Sequence, residues 1–160
     1  MKTTREAAKE ESHKEHAEAL QMLLQKNYDA EKGFKKAITK TESDNLKEFL
    51  KRQAIKHNRF ATELHKEIRT LNETPKEEGS FTGKLSRAWM DIKVAVSGNH
   101  DEAILEECVR GEINSAEEYK EALDENKFPP HIEEILKKQL SDINTMIAEV
   151  SSMEDIAGKA

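Results

Sequence analysis

The chain has 160 residues, a formal net charge of -6 and charged side chains at 36% of positions, a size that fits one domain burying about 70% of its unfolded surface. Aromatic residues supply 5% and the three prolines all fall outside the periodic segments, a long-helix composition in which strands are not expected. The acidic balance, with no basic run interleaved with aromatics, excludes a phosphate-tracking surface for nucleic acid. No stretch reaches the roughly 18 apolar residues of a membrane span, and the lone Cys108 cannot close an internal disulfide, so a soluble, cytoplasmic protein is expected.

Residues 1–18 read as a charged lead-in, frayed or extending the first helix. Glu10, His13 and His16 share a helical spacing there, but the solvated lead-in is preferred and no site is placed on them. The bundle domain is expected over 19–155, with a disordered tail at 156–160. The first helix runs from about His16 to Thr39, with Leu20, Leu23, Leu24, Phe34, Ala37 and Ile38 on one face, interrupted by Asn27 and Glu31. Gly33 inside it costs about 1 kcal/mol relative to alanine, which implies a close neighbour. A short connection with Ser43 as cap leads to a second helix from Asp44 to about Leu71, whose face of Leu46, Phe49, Leu50, Phe60, Leu64 and Ile68 is broken by Gln53 and His57. So short a turn sets the two helices antiparallel.

From Asn72 to His100 the pattern changes. Pro75, Gly79, Gly83 and Gly98 punctuate a stretch in which Leu85, Ala88, Trp89, Ile92 and Val96 form a short amphipathic fifth helix. A connection of that length can travel the bundle, so the next helix is expected to run parallel to the second. That third long helix, capped by Asn99 or Asp101 and ending near Glu125, carries Leu105, Cys108, Tyr119 and Leu123 inward with Glu112 beside Gly111 in the middle of the face. After Asn126 to Pro130 the last helix extends to about Met153, with Gln139 its inward polar residue.

The inward polar residues therefore gather at mid-height: Asn27, Glu31, Gln53, His57, Glu112 and Gln139. A di-iron carboxylate bundle places a Glu from each of two helices and a Glu-x-x-His pair from each of the other two at that level. Here Glu31, His57 and Glu112 are three ligands where such a site takes six, and the one Glu-x-x-His, Glu10 with His13, lies in the lead-in. Two readings follow. Either Glu31, Glu112 and His57 bond with Asn27, Gln53, Gln139 and tyrosine hydroxyls in a structural polar layer with no cofactor, or Glu31, His57 and Glu112 hold an iron ion in an atypical site. Cys108 reads as a small core residue, and no nucleophile or phosphate-loop motif occurs. The exposed faces are charged throughout, so the partner is unknown, with homo-oligomerisation open.

Asp29, Gly33 and Phe34; Arg59, Phe60, Glu63 and Leu64; Gly79, Ser80, Gly83, Arg87, Trp89, Met90 and Asp91; and Glu107, Arg110, Gly111 and Glu112 together carry a resemblance. The run GSFTGKLSRAWMDIK is its most specific part. Over Leu20 to Val150 the chain resembles an uncharacterised family of bacterial ferritin-like four-helix-bundle proteins, a domain of unknown function. The resemblance implies an all-α, ferritin-like four-helix bundle with a long crossover holding the short fifth helix between the second and third helices. It implies no established activity, which favours a non-catalytic protein, stress-associated or interacting, over an oxidoreductase. Relatives look as though they carry a histidine in the last helix, where this chain has Ile147 inward; its last histidine is His131.

Overall fold

The structure is a computed structural model that describes residues 3–76 and 101–158, with side chains as far as residue 150. Its described residues form four α-helices and no strands: α1 (Thr4–Lys40), α2 (Asp44–Thr70), α3 (Asp101–Glu125) and α4 (Pro130–Gly158). The expected fifth helix, with Trp89 and the GSFTGKLSRAWMDIK run, lies outside the described residues. None of the four helices is long and apolar enough to cross a membrane.

The helix ends follow from local chemistry. Thr3 and Glu6 form a reciprocal capping box, so α1 starts at Thr4, three turns ahead of His16. Residues 3–11 are exposed, Ser12 and His13 are half-buried, and full burial begins at His16 and Ala17. There the His16 ring packs on Phe128 at 5.2 Å and joins the long helix to the α3–α4 turn. α2 opens on the Ser43 hydroxyl, which accepts from the Leu46 amide. It closes with Asn72 at φ 61, the left-handed geometry asparagine tolerates, while the Glu73 and Asn72 amides return to the Ile68 and Arg69 carbonyls. α4 continues to Gly158, past Met153.

Interhelical contacts fix the directions. Lys26 meets Glu118, Asn27 meets Tyr119 and Glu42 meets Asp101, so α1 and α3 are antiparallel. His57 meets Glu112 and the Ser43 cap of α2 meets the first residue of α3, so α2 and α3 run parallel, as expected of a long connection between them. Glu67 with His131 and Glu63 with Gln139 set α4 antiparallel to α2. In that register the buried Gly33 and Gly111 fall at one level of the α1/α3 pair, where the lack of two side chains leaves room for the helices.

The core has two parts. Leu20, Leu24, Phe60, Leu64, Ile68, Tyr119 and Leu136 belong to one cluster at the α2–C-terminal end. Phe34, Phe49, Leu50, Ile104, Cys108, Met146 and Val150 belong to the other. Between them, on α1, α2 and α3, sit Asn27, His57 and Glu112.

One surface contact ties the ends together. The Asp101 carboxylate accepts from the Glu42 amide at 2.9 Å and from the Ser43 amide at 2.9 Å, bridging the start of α3 to the α1–α2 turn and satisfying donors at the head of α2. Asp101→Ala should cost roughly 1–2 kcal/mol in urea unfolding, whereas Asp101→Asn, which keeps one acceptor, should cost less.

Candidate functional site

The polar layer is a continuous hydrogen-bonded chain with a member from every helix. Its orientation starts at the backbone. The Asn27 amide nitrogen donates to the Leu23 carbonyl at 2.8 Å and to the Tyr119 hydroxyl at 2.8 Å, so its oxygen must face the other way, where the His57 Nδ1 lies at 2.8 Å. Nδ1 is therefore the protonated donor. Tyr119, having accepted from Asn27, donates to Gln139 Oε1 at 2.6 Å, and Gln139 Nε2 donates onward to Glu63 at 3.1 Å and to the Phe60 carbonyl at 3.5 Å.

On the other side, His57 Nε2 lies 2.5 Å from Glu112 Oε1, and Lys56 Nζ donates to Glu112 Oε2 at 3.4 Å. Because Nδ1–H is committed to Asn27, one proton lies between Nε2 and Oε1. Either His57 is an imidazolium and Glu112 a carboxylate, or both are neutral. Both side chains are 0% exposed, and Lys56 is 12% exposed. Burial pushes the Glu112 carboxyl up, but the His57 charge, its hydrogen bond and Lys56 outweigh burial and hold the carboxyl below its ordinary range. The His57 ring is stacked on Phe34 at 5.6 Å and meets Phe60 edge-on at 5.6 Å, one ring from each half of the core.

Nearby nucleophiles are suppressed. Burial, helped by the Glu112 charge, pushes the Cys108 thiol far up, leaving a neutral core residue. Burial likewise raises the Tyr119 hydroxyl, against the Asn27 hydrogen bond and with the Glu112 and Glu63 charges, so it stays protonated and able to donate.

Four of the six residues expected in the layer come together: Asn27, His57, Glu112 and Gln139. Glu31 does not. Although buried, it accepts from Asn58 at 3.1 and 3.4 Å and pairs with Lys35 at 3.2 Å, on the flank between α1 and α2. It lies one turn beyond Asn27, rotated toward α2, so spacing alone placed it on the face without saying which neighbour it meets. Gln53 is buried on the same face as His57, but its Oε1 has no hydrogen-bond partner among the described residues. The chain also recruits Tyr119, Lys56 and Glu63. Tyr119 reads as an apolar position by periodicity, and its hydroxyl is the one signal that marked it; Lys56 and Glu63 flank the inward positions and reach in with long side chains.

A two-metal centre does not fit this donor set. His57 has both ring nitrogens engaged by protein groups, Glu31 is directed elsewhere, and among the described residues no three His, Cys, Asp or Glu side chains converge as metal ligands.

Among the described residues the fold and its central layer thus define an all-helical four-helix bundle crossed by a self-paired polar chain. Residues 15–125 match the model of the family described as Domain of unknown function (DUF2383), and the chain belongs to that family. The match ends with α3, so α4 and Gln139 lie beyond it. None of the curated proteins matches the chain.

Two outcomes test the layer. Because the folded Glu112 carboxyl titrates below its unfolded value, its contribution is complete above the ordinary carboxylate range and is lost as pH falls through the lower folded value. Urea unfolding of the wild type should therefore lose stability on that acid limb, and Glu112→Gln should flatten the limb while lowering stability at neutral pH. Tyr119→Phe removes the hydroxyl that joins Asn27 to Gln139 and should cost about 1–3 kcal/mol at neutral pH, with the acid limb unchanged.

Proposed function

We propose that the protein is a ferritin-like, non-catalytic four-helix bundle whose mid-bundle layer is structural and does not hold iron. The ferritin-like assignment is supported by the direction of the helices: α1 and α2 antiparallel, α2 and α3 parallel, α3 and α4 joined by the short turn from Asn126 to Pro129, the order of a bundle with one long crossover. The observation that carries the structural reading is that His57 spends Nδ1 on Asn27 and Nε2 on Glu112, while Glu112 spends its second oxygen on Lys56. An ion would have to displace Asn27 or Glu112 to take a nitrogen of His57 as a ligand. Among the described residues the nucleophiles at mid-height are quenched: Cys108 and Tyr119 are held protonated, and His57 has no exposed surface.

The competing reading is an atypical iron site on Glu31, His57 and Glu112. Metal analysis of protein purified from iron-supplemented cells separates the two. The expected result is no stoichiometric iron, with His57→Ala lowering the midpoint of urea unfolding by an amount that corresponds to about 3–5 kcal/mol, the cost of removing the buried partner of Glu112 and leaving the carboxylate to Lys56 alone. Stoichiometric iron that disappears in His57→Ala would overturn the structural reading.

A further inference from the structure

The surface carries two complementary features away from the polar layer. On α2 the outward stripe begins with Asp44 and Glu48, the latter paired with Lys51 at 3.2 Å, and from there is cationic, with Arg52, Arg59, Lys66 and Arg69 exposed along it and Ile55, 67% exposed, among them. Arg52 and Arg59 lie over the rings of Phe49 and Phe60 at 5.9 and 5.8 Å, which holds their guanidinium groups on either side of Ile55. A lone exposed isoleucine is ordinary; one framed by two oriented arginines is an apolar anchor with a charged rim.

The matching feature is a groove between α1 and α3. Its floor is Ala19, Leu23 and Ala122, Met22 stands beside it at 60% exposure, and Glu118, Glu121 and Glu125 form its lip. Lys26 reaches Glu118 at 3.8 Å, but among the described residues no basic side chain lines the groove itself. The last turn of α3 carries no basic residue either, so Glu121 and Glu125 sit against the negative end of the helix dipole, where a cation is favoured. Methionine suits such a seat because its flexible thioether adapts to the side chain placed on it.

We propose that copies of this chain associate head to tail, the Ile55 stripe of α2 in one copy seating in the Met22 groove of the next. The occupant is a second copy because both halves of the match, an apolar anchor between cations and an apolar floor beneath carboxylates, are present on one molecule. The two surfaces are different patches, so the contact is heterologous and propagates to a ring or a filament. The charged rim makes it salt-sensitive.

Light scattering or sedimentation of the full chain over a concentration series reads the assembly. The wild-type mass should rise above the monomer value with concentration and fall back as salt is raised from about 0.1 M to about 1 M, where the screening length shrinks from ~10 to ~3 Å. Ile55→Asp spoils the stripe alone and Met22→Lys the groove alone; both positions are exposed, and circular dichroism should show unchanged helix. Each variant by itself should stay at the monomer mass. Mixed in equal amounts they retain one intact stripe and one intact groove and should form a species of twice the monomer mass that grows no further. A wild type that remains monomeric, variants that assemble as the wild type does, or a mixture that stays monomeric would each overturn the proposal.

Discussion

A carboxylate with no exposed surface in the middle of a four-helix core is the condition that the rest of this molecule must meet. Leaving Glu112 unpaired would cost several kcal/mol, so α2 supplies two partners, His57 and Lys56. His57 then needs an acceptor for its second ring nitrogen, and α1 supplies the Asn27 oxygen, whose direction is dictated by the Leu23 carbonyl one turn back. The amide left over is taken by Tyr119 from α3, and the hydroxyl by Gln139 from α4. Each bond is required by the one before it. The chain ends only where it reaches side chains with access to solvent, Lys56 on one side and Glu63 on the other.

That chain does something the two apolar clusters cannot. Hydrophobic burial is non-directional, and two stacks of leucine and phenylalanine hold the apolar faces inward without fixing each helix's exact rotation within that face. A hydrogen-bonded layer with a fixed donor and acceptor at every link does not. It sets the rotation of all four helices at one level, and the ring stack of Phe34, His57 and Phe60 carries that setting into both halves of the core. The paired level of Gly33 and Gly111 belongs to the same requirement, since Glu112 is adjacent in sequence and α1 must come close enough for Asn27 to reach across.

The helices and their directions were legible because periodicity reports a buried stripe directly, and the short turn after Lys40 and the long connection after Leu71 report the neighbours. The start of α1 was less so: residues 4–15 turn no apolar face to the core, and the signal present, Thr3 followed three residues later by Glu6, is a local cap rather than a pattern. In the site, Asn27, His57, Glu112 and Gln139 were legible as polar breaks in apolar faces. Glu31 and Gln53 are breaks of the same kind, yet one turns to Asn58 and Lys35 and the oxygen of the other meets no donor among the described residues. A helical face spans enough arc to hold residues that look at different neighbours. Spacing does not resolve that arc, nor does it say which tyrosine hydroxyl enters the layer: Tyr119 packs as an aromatic and acts through one oxygen.

The chemical character of the layer follows from its amides. A carboxylate only accepts, so a cluster of carboxylates demands protons or a cation to hold it together, which is what a metal supplies in an iron-binding bundle. Asparagine, glutamine and tyrosine both give and take. Placed at Asn27, Tyr119 and Gln139, they turn each acceptor into the donor of the next link, so the fully buried charge that needs an answer within the layer is that of Glu112. Lys56 and the proton shared with His57 provide that answer. A layer built this way is complete with protein groups alone, which is why the structural reading fits it better than one in which an ion must first displace a bond.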